Sequence, residues 1–394
     1  MNESDEATKA ELNLGTEGHT QSNGVENTVQ ARYSEGAQAV QEALCCPVDY
    51  DTSLLALLPA EIVEKDYGCG DPSRYVKPGD TVLDLGSGGG KICYMAAQIV
   101  GEGGGVIGVD MTDDMLALAR KHQPEMAEKL GGDRVDFRKG YIQDLALNVQ
   151  DMEAWLSANP VSNIDDLQAL ELWKAQQKTS SPLVDSSSVD LVISNCVLNL
   201  VAQQDREQMI SEIFRVLKPG GRVAISDIVC DELVPEHLQN DPTLWSGCIS
   251  GAFHEKGFLD AFTDAGFVAV AYDKWENSPW QVVEGIEFRS VTLMAVKPSQ
   301  DKLLDAGHGL IYKGPFQTVH DDLGNYFPRG ERIAVSQRTF ELLMSSAYAD
   351  SFIGVEPSQA FSNGCFNKPA GTVRLVSETK GGKQSGGDSS SGCC

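Results

Sequence analysis

From residue 81 to residue 297, apolar runs of strand length alternate with stretches of helical period, and no other feature limits the possible folds as tightly. "TVLDLGSGGGK" is an apolar strand running into a glycine-rich turn, and "ICYMAAQIV" is the helix that follows. "GVIGVDM" repeats the pattern, with Thr112 as the N-cap of the helix opening in "TDDMLALARKH". "RVDFRKGYIQDL" supplies a third strand and its exit loop, and "SVDLVISNCVLNLV" a fourth. "REQMISEIFRVLKPGGRVAISDI" reads as a helix, a Pro-Gly-Gly turn and a fifth strand; "FLDAFTDAGFVAVAYDKW" and "FRSVTLMAVKP" complete the sheet. Strands alternating with helices build a doubly wound, largely parallel sheet of the α/β class.

Residues 1–42 are polar and acidic, with no apolar period, and read as a disordered tail. "TSLLALLPAEIVEKDYG" reads as one amphipathic helix with Leu54, Leu55, Leu58 and Ile62 on one side. The sheet-forming domain is expected over residues 43–298, with 148–188 as a surface insertion of helical stretches and a Ser-rich end. Beyond Pro298 the pattern changes, and a small α+β domain is expected over residues 299–373. A flexible Gly/Ser tail over residues 374–394 ends in Cys393–Cys394.

A formal net charge of −26 argues against nucleic acid or an anionic membrane surface as partner, because phosphates would be repelled. No apolar run approaches the ~20 residues of a membrane span. The first residues have neither the basic region nor the apolar core of a secretory signal, and their acidity does not suit a transit peptide; a cytosolic, monomeric protein is expected. Ten cysteines are few for a disulfide scaffold of 394 residues. In a reducing compartment they are thiols available for soft-ligand or redox chemistry.

Gly86 and Gly88 fall at the first strand-to-helix turn, where the backbone can approach a ligand and a helix N-terminus offers free N–H donors. A dinucleotide fingerprint would need Gly or Ala where Lys91 stands. Asp84 would repel a pyrophosphate but suits the cationic amino group of a methionine moiety. Asp110, ending the second strand, is placed to accept both ribose hydroxyls. Asp144 is placed for an adenine amine and Ile142 for the face of its ring; Met111 and Asn195 complete the expected cofactor set. The pattern resembles the S-adenosylmethionine-dependent class I methyltransferases. That resemblance implies a Rossmann-like sheet of seven strands whose last, "FRSVTLMAVKP", is antiparallel.

Cysteine placement narrows the acceptor. Cys69 precedes the first strand, Cys196 leaves the fourth, and Cys248 follows the fifth in "LWSGCISGAF"; Cys45 belongs to the N-terminal region. Thiols from separate stretches, gathered at the reactive end of one sheet, suggest a soft-ion site. With no C-x-x-C pair, and none of the six histidines clustered near these thiols, structural zinc is not expected. Trivalent arsenic fits better, since it takes three sulfur ligands and keeps a lone pair for a methyl electrophile.

"DYGCGDP", "VLDLGSGGGKICY", "GVDMT", "GYIQDL", "SNCVLNLV", "RVLKPGGRVAISDI" and "LWSGCISGAF" together resemble the arsenite S-adenosylmethionine methyltransferase family, from about Cys45 to Lys297. The resemblance implies that Cys196 and Cys248 are arsenic ligands in the site, with Cys69 and Cys45 (or Cys46) as the family's N-terminal thiols. It also implies glutathione or thioredoxin as the thiol reductant, and mono-, di- and in some cases trimethylated arsenicals as products. Cys93 and Cys230 read as small core hydrophobes, and Cys365 has no assigned role. Two other classes are open at this stage: a small-molecule C- or S-methyltransferase with incidental cysteines, and a thiol protein that sequesters metalloids without turnover.

Overall fold

The apolar runs become strands shielded on both faces, as central strands of a parallel sheet must be. In β1 (Thr81–Leu85), Leu83 and Leu85 join the core layer on one face, and Val82 joins the layer on the other. The computed structural model describes residues 29–38, 48–65, 67–299, 303–345, 348–358 and 364–380.

After β1 come β2 (Gly105–Asp110), β3 (Val135–Lys139), β4 (Val189–Asn195), β5 (Leu217–Cys230) and the short β6 (Phe253–His254). They are followed by β7 (Val268–Trp275), β8 (Gln281–Val283) and β9 (Ile286–Val296). The sheet has nine strands, seven of them in the order β3-β2-β1-β4-β5-β9-β7, with β6 beside β5 and β8 beside β9. β1 to β5 pair in parallel, whereas β9 runs antiparallel to both β5 and β7. The strand order reverses between β1 and β4, which opens a crevice at their C-terminal ends.

Three local features differ from the sequence expectations. The helix expected from residue 52 is two short ones, Thr52–Leu55 and Ala60–Glu64. Pro59 separates them, since it donates no N–H and disfavours the helical region for the residue before it. The Pro-Gly-Gly turn lies within β5 as an irregularity, so that Leu217 faces Val189 while Arg222 faces Leu191. The third concerns the supposed tail: residues 29–38 are helical, with Val29 and Ala37 buried.

Between β3 and β4 stand the helices Val149–Ala158 and Ile164–Ser180; the second buries no residue. Trp155 and Trp173 stack at 5.6 Å, and Lys178 reaches Asp144 at 2.5 Å.

The chain divides into two units at Pro298. The second is strand-rich: Gly309–Tyr312 pairs antiparallel with both Arg332–Ala334 and Phe352–Val355, and Gln337–Leu343 is helical. Leu310, Phe327, Ile333 and Phe340 form its core. Arg374, expected in the flexible tail, is instead buried in this unit, donating to the Asp305 carboxylate at 2.6 and 3.3 Å, and Val376–Thr379 after it is helical.

Candidate active site

The crevice between β1 and β4 is a cleft of about 970 Å³, counted out to its open mouth. Asp84, Gly86, Gly88, Asp110, Met111, Ile142 and Asn195 all line it. At Gly86, with φ +70°, a Cβ would lie 2.5 Å from Val197, so only glycine lets the turn pass there. At Gly88, with φ +50°, a Cβ would meet nothing within 4 Å.

Asp110 holds this turn. One of its oxygens accepts the Gly88 N–H at 2.9 Å, and the other accepts the Thr112 N–H at 2.8 Å. Burial raises its pKa above the usual carboxylate range, and those two N–H groups oppose the rise. Asp84 is 2% exposed and accepts the Cys93 thiol at 3.2 Å. Burial, reinforced by that carboxylate, pushes the Cys93 thiol well up. Cys230 is likewise pushed up, to about 11, by burial. Both are core thiols without thiolate character.

Two expected roles differ in detail. Asp144 is tied to Lys178, and the cleft is lined at that point by Gln143 instead. Asn195 lines the cleft, but its amide grips the Cys69 loop: Oδ1 accepts the Cys69 and Gly70 N–H groups at 2.9 and 3.0 Å, and Nδ2 donates to the Gly70 carbonyl at 2.8 Å.

The thiols converge beside the cleft. Cys69 and Cys196 are joined as a disulfide, with Cα atoms 5.8 Å apart. Cys248, 5% exposed, donates its thiol to the Cys196 carbonyl at 3.4 Å. Cys196 and Cys248 both hold positive φ, 59° and 64°. A side chain there costs about 1–3 kcal/mol, so the surrounding packing must hold each in place. Both border a smaller cavity of about 270 Å³, together with Tyr33, Tyr67, Ile228 and Trp280. Cys45, Cys46, Cys393 and Cys394 lie outside the described residues.

Asp227, fully buried, has an oxygen within 4.8 Å of the sulfurs of both Cys69 and Cys196. It accepts the Leu198 and Ile228 N–H groups and the Asn199 amide at 2.8–2.9 Å. Burial nonetheless raises its pKa to about 6.

Asp227, Tyr67 and Tyr33 were not singled out from sequence. Tyr33 carried a readable signal: Val29, Tyr33 and Ala37 recur every four residues, the period of one helix face. That signal is hidden by the acidic composition around it.

Residues 76–276 match a family described as "Methyltransferase domain", and residues 299–384 match one described as a domain of unknown function. The chain is 30% identical over 318 residues to the arsenite methyltransferase of Aquipseudomonas alcaligenes, spanning 76% of this chain and 80% of that one. It is 30% identical over 306 residues to the arsenite methyltransferase of Homo sapiens, spanning 74% and 72% of the two chains. The crystal structure of an arsenic(III) S-adenosylmethionine methyltransferase from Chlamydomonas reinhardtii matches with a TM-score of 0.54 at 28% identity. That match covers 82% of this chain and 100% of the other.

Proposed function

The chain belongs to the arsenite methyltransferases, and from that premise we propose which of its residues bring thiol-bound arsenic to the methyl donor. It is an enzyme that transfers methyl groups from S-adenosylmethionine to trivalent arsenic. The cleft suits that cofactor. Among the described residues the buried Ser87 hydroxyl has no hydrogen-bond partner, and it lines the cleft beside Asp84 and Asp110. A polar ligand would satisfy it.

Asp84 would hold the amino group of the methionine moiety, Asp110 the ribose hydroxyls, and Met111 and Ile142 the adenine. Bound there, S-adenosylmethionine supplies an electrophilic methyl group. Once the Cys69–Cys196 disulfide is reduced, Cys196 and Cys248, with Cys69, would strip As(III) of its oxygen ligands and leave its lone pair exposed. The protein then contributes mainly proximity and orientation. No general base is required, because the arsenic lone pair carries no proton. Each thiol proton leaves with a displaced oxygen ligand as water, three thiols and As(OH)3 giving As(SR)3 and three waters, so capture releases no net proton.

The observation carrying this reading is the convergence of Cys69, Cys196 and Cys248 beside the cleft, with Cys196 and Cys248 on the smaller cavity that shares Tyr33 and Tyr67 with it. The disulfide supports a thiol reductant, of glutathione or thioredoxin type, as co-substrate. We also propose mono- and dimethylated arsenicals as products, and a cytosolic monomer as the working form. Among the described residues no helix is long and apolar enough to cross a membrane.

The test is turnover in single variants. Cys196→Ser and Cys248→Ser should each abolish methylation of inorganic and monomethyl arsenic while S-adenosylmethionine still binds. Retained turnover in either variant overturns the ligand assignment. Cys69→Ser should spare the second methylation, because CH3–As needs only two thiol partners.

A further inference from the structure

Methyl transfer has to pass from the cofactor cleft to the thiol cavity, so the residues bordering both spaces stand along its route. Among the described residues these are two, Tyr33 and Tyr67. Their rings meet edge to face at 6.1 Å.

Tyr33 is carried by the helix over residues 29–38, which is fastened to both thiol-bearing segments. Arg32 donates to the Thr243 carbonyl at 3.1 Å and to the Ser246 hydroxyl at 2.5 Å, two residues before Cys248. From the other side, the Tyr67 hydroxyl donates to the Gly36 carbonyl at 3.0 Å, two residues before Cys69. The approach is close: a Cβ at Gly36 would lie 2.8 Å from the Tyr67 ring. The helix therefore straps the Cys69 and Cys248 segments together and presents Val29 and Tyr33 to the cofactor cleft.

We propose that Tyr33 is a positioning residue for methyl transfer, its ring closing the passage between cofactor and thiols, and that residues 29–38 are the strap that keeps it there. Burial, with Cys248 and nearby carboxylates adding to it, raises the Tyr33 pKa well above its ordinary value, so the phenol stays neutral. A neutral aromatic ring attracts a cation at its face. S-adenosylmethionine carries a sulfonium charge, whereas the demethylated product is a neutral thioether. The ring accordingly favours the charged donor over the spent one and excludes water from the arsenic lone pair. The inference rests on Cys196 and Cys248 being the arsenic ligands, but its test uses no arsenic.

The experiment is calorimetric titration of S-adenosylmethionine and S-adenosylhomocysteine into the reduced full chain, in wild type, Tyr33→Phe and Tyr33→Leu. Tyr33→Phe should keep both affinities within about twofold, because the ring is retained. Tyr33→Leu should weaken S-adenosylmethionine by about 3- to 10-fold and the thioether by no more than about twofold. Equal weakening of both ligands, or no weakening of either, overturns the proposal. If Tyr33→Leu does not fold, Arg32→Ala releases the strap with the ring intact and should show the same selective loss; an unchanged ratio there overturns it. Loss of turnover in Cys196→Ser with the ligand ratio intact would report on the thiol assignment alone.

Discussion

Asn195 holds Cys69 by its backbone: the side-chain Oδ1 at the end of β4 accepts the N–H groups of Cys69 and Gly70 at 2.9 and 3.0 Å. Its Nδ2 returns a hydrogen bond to the Gly70 carbonyl at 2.8 Å. A residue on the wall of the cofactor cleft thus sets the position of a thiol in the neighbouring cavity. A second anchor adds to it, since the Ser290 hydroxyl donates to the Cys69 carbonyl at 2.6 Å.

Asn195→Ala should therefore act on the thiol site and on stability together. It strands two N–H groups and one carbonyl in a buried setting, at about 1–3 kcal/mol per unsatisfied group. With partial access of water, a loss of about 2–4 kcal/mol is expected in urea unfolding. Asn195→Asp keeps the acceptor but turns an oxygen toward the Gly70 carbonyl, so it should not rescue. A variant as stable as wild type would show that the loop is held by other contacts.

Gly70 is fixed by space. A Cβ there would lie 2.4 Å from the Ser226 side chain, which is itself hydrogen-bonded to Thr292 at 2.9 Å. Gly70→Ala must then push the Cys69 loop away from β5. A displacement on the order of 1 Å in a reacting constellation costs about 100-fold in rate. Arsenite turnover should fall by about that factor while S-adenosylmethionine affinity stays within about twofold, since Gly70 does not line the cleft. Parallel loss of both would place the damage in the fold as a whole.

The sheet and the rim of its crevice were legible because parallel strands put their C-terminal ends along one edge. A residue known to end a strand, such as Asp84 or Asp110, therefore has a known place in space. Cys196, the residue after β4, was traceable for the same reason, whereas Cys69, ahead of β1, and Cys248, beyond two short helices that follow β5, were traceable through the motifs around them. Asn195 was visible as a cleft residue, but its use as a clamp depends on a loop that returns from 125 positions away. Asp227 looks like any polar residue near a strand end, and only the fold shows it enclosed beneath Cys69 and Cys196. Tyr33 was obscured because composition over forty residues outweighed one helical face of three.

Asp227 gives the site a pH dependence whose sign is definite. Its folded pKa is about 6 against an ordinary value of 3.8, so between those values the folded chain binds a proton that the unfolded chain has lost. Its contribution is fully present below the unfolded pKa and is lost as pH rises through the folded one. The difference of about 2 units corresponds to roughly 3 kcal/mol. Asp227→Asn removes the titration, so wild-type stability should gain on the variant as pH falls from about 6.5 to 4. Parallel stability–pH curves for the two proteins would show that this carboxylate does not titrate in that range.

Reduction should control arsenic capture. The Cys69–Cys196 disulfide takes up two of the three described sulfurs of the site and leaves Cys248 outside it. A lone thiol holds As(III) without the advantage of intramolecular chelation, which amounts to about 10²–10⁴ in affinity when a second ligand is already in place. The unreduced chain should therefore bind arsenite at least about 100-fold more weakly at this site than the dithiol-reduced chain. Protein-bound arsenic after gel filtration would measure the difference. Cys69→Ser separates this cause from general thiol oxidation, because Cys196 then loses its Cys69 partner and remains beside Cys248. That variant should take up arsenite without prior reduction, and should lose the uptake when Cys248→Ser is added. Were unreduced wild type to bind as well as the reduced chain, arsenic would be entering through other sulfurs, and the Cys196–Cys248 pair would no longer be its entry site.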